Sequence, residues 1–210
     1  MKSLVMLLSG TDFANFTQCR IKLHDVCWSK KHMIKLHLGC GKRFIPGYVH
    51  VDLARFDHID FHASADNLSM LDSASAQEIY ACHLLEYFDL GQVKDVLKEW
   101  SRVLVKGGLL RLSVPDFDAL LRIYGKTQDL RKILGPVFGR MPLNDGTIYH
   151  RTTYNRSLLE EILLGANYKK IKDWDTFTTF PDHDDFSKAF FPHNDRSGDQ
   201  VSLNIIAEKG

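Results

Sequence analysis

Long apolar runs are missing from this 210-residue chain, and so are paired cysteines and a surplus of either charge. No stretch approaches the roughly 20 apolar residues of a membrane-spanning helix. The opening MKSLVMLLSG carries one lysine and a five-residue apolar run, short of the roughly 7 to 15 residues of a signal-peptide core. The chain therefore reads as unexported, and the Asn-x-Ser/Thr matches at Asn15 and Asn155 are not expected to carry glycans. The four cysteines, Cys19, Cys27, Cys40 and Cys82, form no CxxC pair and no disulfide framework, which favours a reduced, cytoplasmic setting. Lys plus Arg number 27 against 26 Asp plus Glu, so no general attraction to nucleic acid or to an anionic membrane is built in. No internal repeat, low-complexity tract or nucleic-acid signature is present.

With 44% hydrophobic residues, the chain can bury the core of one α/β-sized domain. IKLHL (34–38), YVHVD (48–52), IDFHA (59–63), EIYAC (78–82) and LLRLSV (109–114) are short, β-rich and bounded by turn residues. Between the last two, LGQVKDVLKEWSRVL sets Val93, Val96, Leu97, Trp100, Val103 and Leu104 at helical spacing, and the glycines of KGG (106–108) are expected to cap that helix. Strand, helix and strand then form one parallel crossover. DFDALLRIYG and RSLLEEILLGANY are further helices with terminal glycine, and YKKIKDW and VSLNIIAEK are two last strands. The order predicts a wound α/β sheet with helices on both faces.

The segment LHLGCG places Gly39 and Gly41 after the first strand, at the carboxyl edge where open α/β sheets bind ligands. Asp52 ends the next strand, where a carboxylate can accept both hydroxyls of a ribose. A dinucleotide fingerprint would want a small residue at position 44, which is Phe44. Nine residues separate Leu38 from Tyr48, too few for a full crossover helix. Without that helix a pyrophosphate loses its N-terminal anchor, so a nicotinamide-dependent oxidoreductase is disfavoured.

From about Met33 onward, LHLGCG, GYVHVD, ADNL, CHLLEY and RVLVKGGLLRLSVPD, followed by YHRTTYNRSLLEEILLGANYKKI, resemble the class I S-adenosylmethionine-dependent methyltransferases, in particular the small type-11-like group. The resemblance implies a Rossmann-like class I methyltransferase fold: a mostly parallel seven-stranded sheet, helices on both faces and an antiparallel last strand. It implies S-adenosylmethionine as cofactor, with Gly39, Cys40 and Gly41 against its methionine portion and ribose, Asp52 on the ribose hydroxyls, Asp66 at the adenine amino group and His83 beside the sulfonium. His37 stands where the family has an acidic residue, Tyr87 replaces the histidine of LEH, and LVKGG replaces LKPGG. The domain spans 33–210. Residues 1–32 form an extension, with Phe13, Phe16 and Trp28, that either packs on the sheet or is peripheral.

The implied reaction moves a methyl group to an oxygen or nitrogen of an acceptor, and the protein's part is alignment and exclusion of water. If the acceptor begins protonated, His83 or His150 is the candidate general base, because an unperturbed histidine titrates near neutrality. The acceptor itself carries no signature; by resemblance a saccharide or small metabolite is favoured, and a non-catalytic cofactor-binding module is the alternative. PDHDD (181–185) with His193 and Asp195 matches no zinc or calcium spacing and is expected to be a solvated loop rather than a metal site. Cys40 is expected to serve as a small loop residue, and Glu86 to complement a helix dipole.

Overall fold

The computed structural model describes residues 33–143, 146–192 and 196–210; the expected packing of residues 1–32 lies outside them. In chain order the elements are β1 (Ile34–Leu38), β2 (Val49–Asp52), β3 (Phe61–His62), β4 (Ala76–Cys82), a 3-10 turn (Leu85–Tyr87), α1 (Leu90–Val103), β5 (Leu104–Pro115), α2 (Phe117–Thr127) and α3 (Arg131–Phe138). They continue with β6 (Met141–Leu143), β7 (Gly146–Ile148), α4 (Arg156–Gly165), β8 (Tyr168–Asp173), α5 (Thr176–Thr179), a second 3-10 turn (Phe186–Lys188), β9 (Phe190–Phe191), β10 (Asp199–Gln200) and β11 (Ser202–Lys209).

Seven strands form one sheet in the order β3-β2-β1-β4-β5-β11-β8, all parallel except β11, which runs antiparallel to both neighbours. The order reverses beside β1, where β2 pairs on one side and β4 on the other. Such a reversal splays the loops leaving the two strands and opens a crevice at their carboxyl ends. This is the Rossmann-like class I methyltransferase fold.

Alternation along each strand divides the core. On one face Leu36, Leu38, Ile79, Ala81, Leu110, Leu112 and Ile205 pack with Val93, Val96, Leu97 and Trp100 of α1 and Leu159 and Leu163 of α4. Trp100 is fully buried, and its Nε1 donates to the Ala65 carbonyl at 2.7 Å, tying α1 to the loop after β3. On the other face Tyr80 and Ile206 meet Ile45, Trp174 and Phe180, brought in by the β1–β2 link, the end of β8 and α5. That link contains no helix, as its length requires.

The helix starts obey local chemistry. Asp116 Oδ1 accepts from Asp118 N, Asn155 Oδ1 accepts from Leu158 N, and Gln92 Oε1 reaches back to Asp89 N. The KGG segment behaves otherwise than expected. Leu104 is already extended and pairs with Ala76, so α1 ends at Val103 without a glycine cap. Gly107, at φ +77°, lies instead where the β4 pairing jumps from Ala76–Leu104 to Glu78–Leu109. Long-range strand pairing overrode the local cap, and the glycines absorb the resulting bulge.

Candidate active site

A cavity of about 430 Å³ opens at the carboxyl ends of β1, β2 and β4, within the roughly 300–1,000 Å³ typical of small-molecule pockets. Gly39, Asp52 and His83 line it from the ends of β1, β2 and β4, with Asp66 from the loop after β3; Cys40 and Gly41 lie outside its lining. Gly39 sits at φ +62°, a conformation that residues with a side chain rarely adopt, and a Cβ there would displace the Leu84 side chain, whose Cδ1 would lie 2.7 Å away. The Asp52 carboxylate organises the near end: Oδ2 accepts from Gly41 N at 2.8 Å and Oδ1 from Ala54 N at 2.7 Å. Each oxygen keeps acceptor capacity for a ligand hydroxyl. Asp66 is exposed on the loop after β3, beside Ser64 and Ala65.

His83 follows β4 with φ +50°, an uncommon conformation for a residue with a side chain. Its backbone N donates to the Ser113 carbonyl, holding the turn against β5. Ser202 Oγ donates to the Phe186 carbonyl at 2.6 Å and lies 2.8 Å from His83 Nε2. The hydroxyl proton is thereby committed, so Nε2 carries the imidazole proton and Nδ1 is the bare nitrogen. Burial lowers the His83 pKa to about 3, with His150 next among the causes, so the ring is neutral.

His150 follows β7, and its neighbours Tyr149 and Arg151 line the cavity while its own ring sits behind the lining, edge-on to Tyr87 at 4.8 Å. Its Nδ1 donates to the Pro136 carbonyl at 3.0 Å, leaving Nε2 bare. Glu86 lies between the two histidines, fully buried in the 3-10 turn and four residues before α1 begins at position 90. It is therefore a core group, and the expected helix-dipole role does not apply. Cys40 is 2% exposed, and burial followed by the Asp52 charge pushes its thiol up to about 12, the state of an inert loop residue.

His37 projects to the second face, 2% exposed, with its ring 5.1 Å from that of Tyr80. The position where the resemblance expects an acid thus holds a core imidazole, lowered to about 3 first by burial and then by His50 and His183. Phe44 stacks on His50 at 4.9 Å. PDHDD is not wholly the solvated loop expected, because Asp185 is buried, accepts from Tyr80 and lies 2.9 Å from His183 Nε2; among the described residues no cluster of three or more His, Cys, Asp or Glu is arranged to hold a metal, and His193 and Asp195 lie outside them. No described helix is long and apolar enough to cross a membrane.

The β6–β7 hairpin forms the outer wall, contributing Met141, Leu143, Thr147 and Ile148 to the lining. The sequence reading missed it, although Asn-Asp-Gly at 144–146, between short apolar runs, is a hairpin signal. Leu84, Tyr87 and Phe88 complete the wall beside His83.

No protein-family model and no curated protein matches the chain. Solved structures do match in fold. One is a methyltransferase of Thermotoga maritima dependent on S-adenosylmethionine, described as a possible histamine N-methyltransferase, with TM-score 0.54, 16% identity, 85% of this chain and 83% of that one. A second is an S-adenosylmethionine-dependent methyltransferase of Archaeoglobus fulgidus, with TM-score 0.51, 15% identity, 86% of this chain and 87% of the other. A third is the 1,6-didemethyltoxoflavin N1-methyltransferase of Burkholderia thailandensis with its substrate and S-adenosylhomocysteine bound, with TM-score 0.50, 15% identity, 84% of this chain and 70% of that one.

Proposed function

We propose that the chain is an S-adenosylmethionine-dependent methyltransferase of the type-11-like group, transferring a methyl group to an oxygen or nitrogen of a small-molecule or saccharide acceptor. The observation that carries this reading is Asp52. Its carboxylate ends β2 at the cavity wall and is tied to Gly41 N and Ala54 N, a setting that suits a ribose diol beside a glycine loop. Gly39, Asp66 beyond β3 and His83 beyond β4 border the same cavity as Asp52, and by the resemblance they would face the methionine portion and ribose, the adenine amino group and the sulfonium. The lack of a helix after Gly41 fits a cofactor without pyrophosphate and opposes a nicotinamide dinucleotide.

The cofactor, when bound, supplies a sulfonium leaving group and an electrophilic methyl carbon. The chain's work would be placement: the strand ends would hold the cofactor, and the hairpin with Leu84, Tyr87 and Phe88 would shield the reacting atoms from water. His83 borders the cavity and His150 lies behind its lining, but the bare nitrogen of each ring faces Glu86, so this reading keeps the two imidazoles as wall and support and does not rest on either as the general base expected from sequence. Free thiols at Cys40 and Cys82 suit a reducing, cytoplasmic setting.

Calorimetric titration with S-adenosylhomocysteine tests the cofactor assignment. Asp52→Ala should weaken binding at least about tenfold, as loss of charge-assisted hydrogen bonds worth roughly 1.5–3 kcal/mol each implies. Asp52→Asn should lose less, since one amide oxygen still accepts. Because Asp52 also ties the two loops, each variant's melting temperature is read alongside; equal affinities at equal melting temperature would reject the assignment. Methyl transfer from labelled S-adenosylmethionine separates an enzyme from a non-catalytic binding module.

A further inference from the structure

Behind the cavity, three ionisable groups meet with no solvent between them. Glu86 Oε1 is 3.5 Å from His83 Nδ1 and 3.8 Å from His150 Nε2, with the Glu86 side chain fully buried and both of its oxygens without a hydrogen-bond donor. Spacing alone would make these ion pairs. The tautomers contradict that reading, because each ring spends its N–H elsewhere: His83 on Ser202 and His150 on the Pro136 carbonyl. Two bare nitrogens therefore face one carboxyl. An ionised Glu86 would sit among lone pairs without a donor, in a site where an unpaired charge is costly. A single proton on the carboxyl removes the unpaired charge and can be donated to one nitrogen at a time after a slight closure.

The remaining titratable groups around Glu86 reinforce this. Tyr87 on its own turn, Tyr154 before α4 and Cys82 at the end of β4 are each shifted upward, by burial first, and stay neutral. None can compensate a carboxylate. In keeping with this, burial raises the Glu86 carboxyl from 4.5 to about 8. The backbone of the same residue is fastened: its carbonyl accepts from Arg151 N and Thr152 N, joining the end of β4 to the segment after the hairpin.

We propose that Glu86 is a proton-bearing positioning residue, whose neutral carboxyl sits between His83 and His150, donates to one of their bare nitrogens at a time, and keeps the His83 imidazole uncharged at the wall of the cavity. This rests on the methyltransferase reading for its purpose: an uncharged imidazole does not repel a sulfonium, whereas an imidazolium would. The clamp also couples the hairpin side of the cavity, through His150, to the strand side, through His83. It makes the site sensitive to base. Folding raises the carboxyl's proton affinity, so its contribution to stability is whole below about 4.5 and is lost as pH rises through about 8.

The test compares wild type, Glu86→Gln and Glu86→Ala at pH values on either side of about 8, by melting temperature and by S-adenosylhomocysteine titration. Glutamine keeps the shape, a donor and an acceptor, and cannot ionise. It should preserve affinity within about twofold at the lower pH and should lack the fall in melting temperature that wild type shows across the transition. Alanine should melt lower at every pH. Infrared spectra of the wild type alone provide a second readout, in which the C=O stretch of a protonated carboxyl persists at neutral pH and its loss in Glu86→Gln identifies it. Parallel pH profiles for wild type and Glu86→Gln, or a carboxylate spectrum at neutral pH, would overturn the proposal. Failure of S-adenosylhomocysteine to bind would strike the methyltransferase reading instead, because the infrared and ligand-free melting profiles report on Glu86 without any ligand.

Discussion

Neighbouring residues of the same strands build two different interiors. Leu36, Ile79, Leu110 and Ile205 point to the face covered by α1 and α4; His37, Tyr80, Arg111 and Asn204, each one position away, point to the face covered by the β1–β2 link and residues 174–188. The difference follows from what each cover presents. A helix satisfies its own backbone, so the sheet beneath can be wholly apolar. A loop brings unpaired N–H and C=O groups inward, and polar strand residues answer them. His50 Nε2 accepts from Ile45 N, Asn204 Nδ2 donates to the Ser187 carbonyl, and Tyr80 donates to Asp185 at 2.5 Å. Polarity on the second face is thus the consequence of replacing crossover helices with loops.

The largest effect expected from this contrast is on the helical face. Trp100→Ala should cost about 3–5 kcal/mol by emptying a fully buried indole site. Trp174→Ala, at the rim of the smaller cluster with 8% exposure, should cost less, and urea unfolding of the two variants measures the gap. Equal costs would mean that the faces are energetically alike.

The second face contributes one part of an acid window, and His83 at the cavity, lowered alike to about 3, contributes another. Folding lowers the proton affinity of His37, from 6.5 to about 3, so the unfolded chain binds that proton first. Stability is whole above about 6.5 and falls toward pH 3, by at most about 1.4 kcal/mol per pH unit for this one group. Melting followed from pH 7 downward should show the decline, and His37→Leu should make it shallower by the share of that one group, leaving the share of His83. An unchanged slope in the variant would place the acid sensitivity elsewhere.

The smallest effect tests the loop-matching idea directly. Asn204→Leu leaves the Ser187 carbonyl and the Ser113 hydroxyl without their partner, at about 1–3 kcal/mol. The double variant Asn204→Leu with Ser113→Ala should recover part of that cost, because the stranded hydroxyl is gone. Additive losses would show that the two side chains are not answering one another.

Of the site, the part carried by strand ends was legible. Gly39, Asp52 and His83 each sit where an apolar run stops, and a parallel sheet must bring such ends to one edge. Glu86 was not legible, since its turn lies three residues short of the helix whose dipole it was expected to complement, and only the packing of β4 against the segment around His150 buries it. The hairpin wall escaped notice because its strands are three residues each, too short for periodicity to register.

The alternation of apolar residues, the helical spacing in α1 and the LGCG loop before a strand ending in Asp52 were determined by sequence alone, because each depends on neighbours within a few positions. The protonation of Glu86, the tautomers of His83 and His150, the burial of His37 and the conversion of Gly107 from cap to bulge were decided only by tertiary structure. Each depends on a partner far along the chain: Ser202 for His83, Pro136 for His150 and Ala76 for the bulge. A side chain's identity limits which protons it can hold, but the dielectric and the donors that choose among its states arrive with the fold.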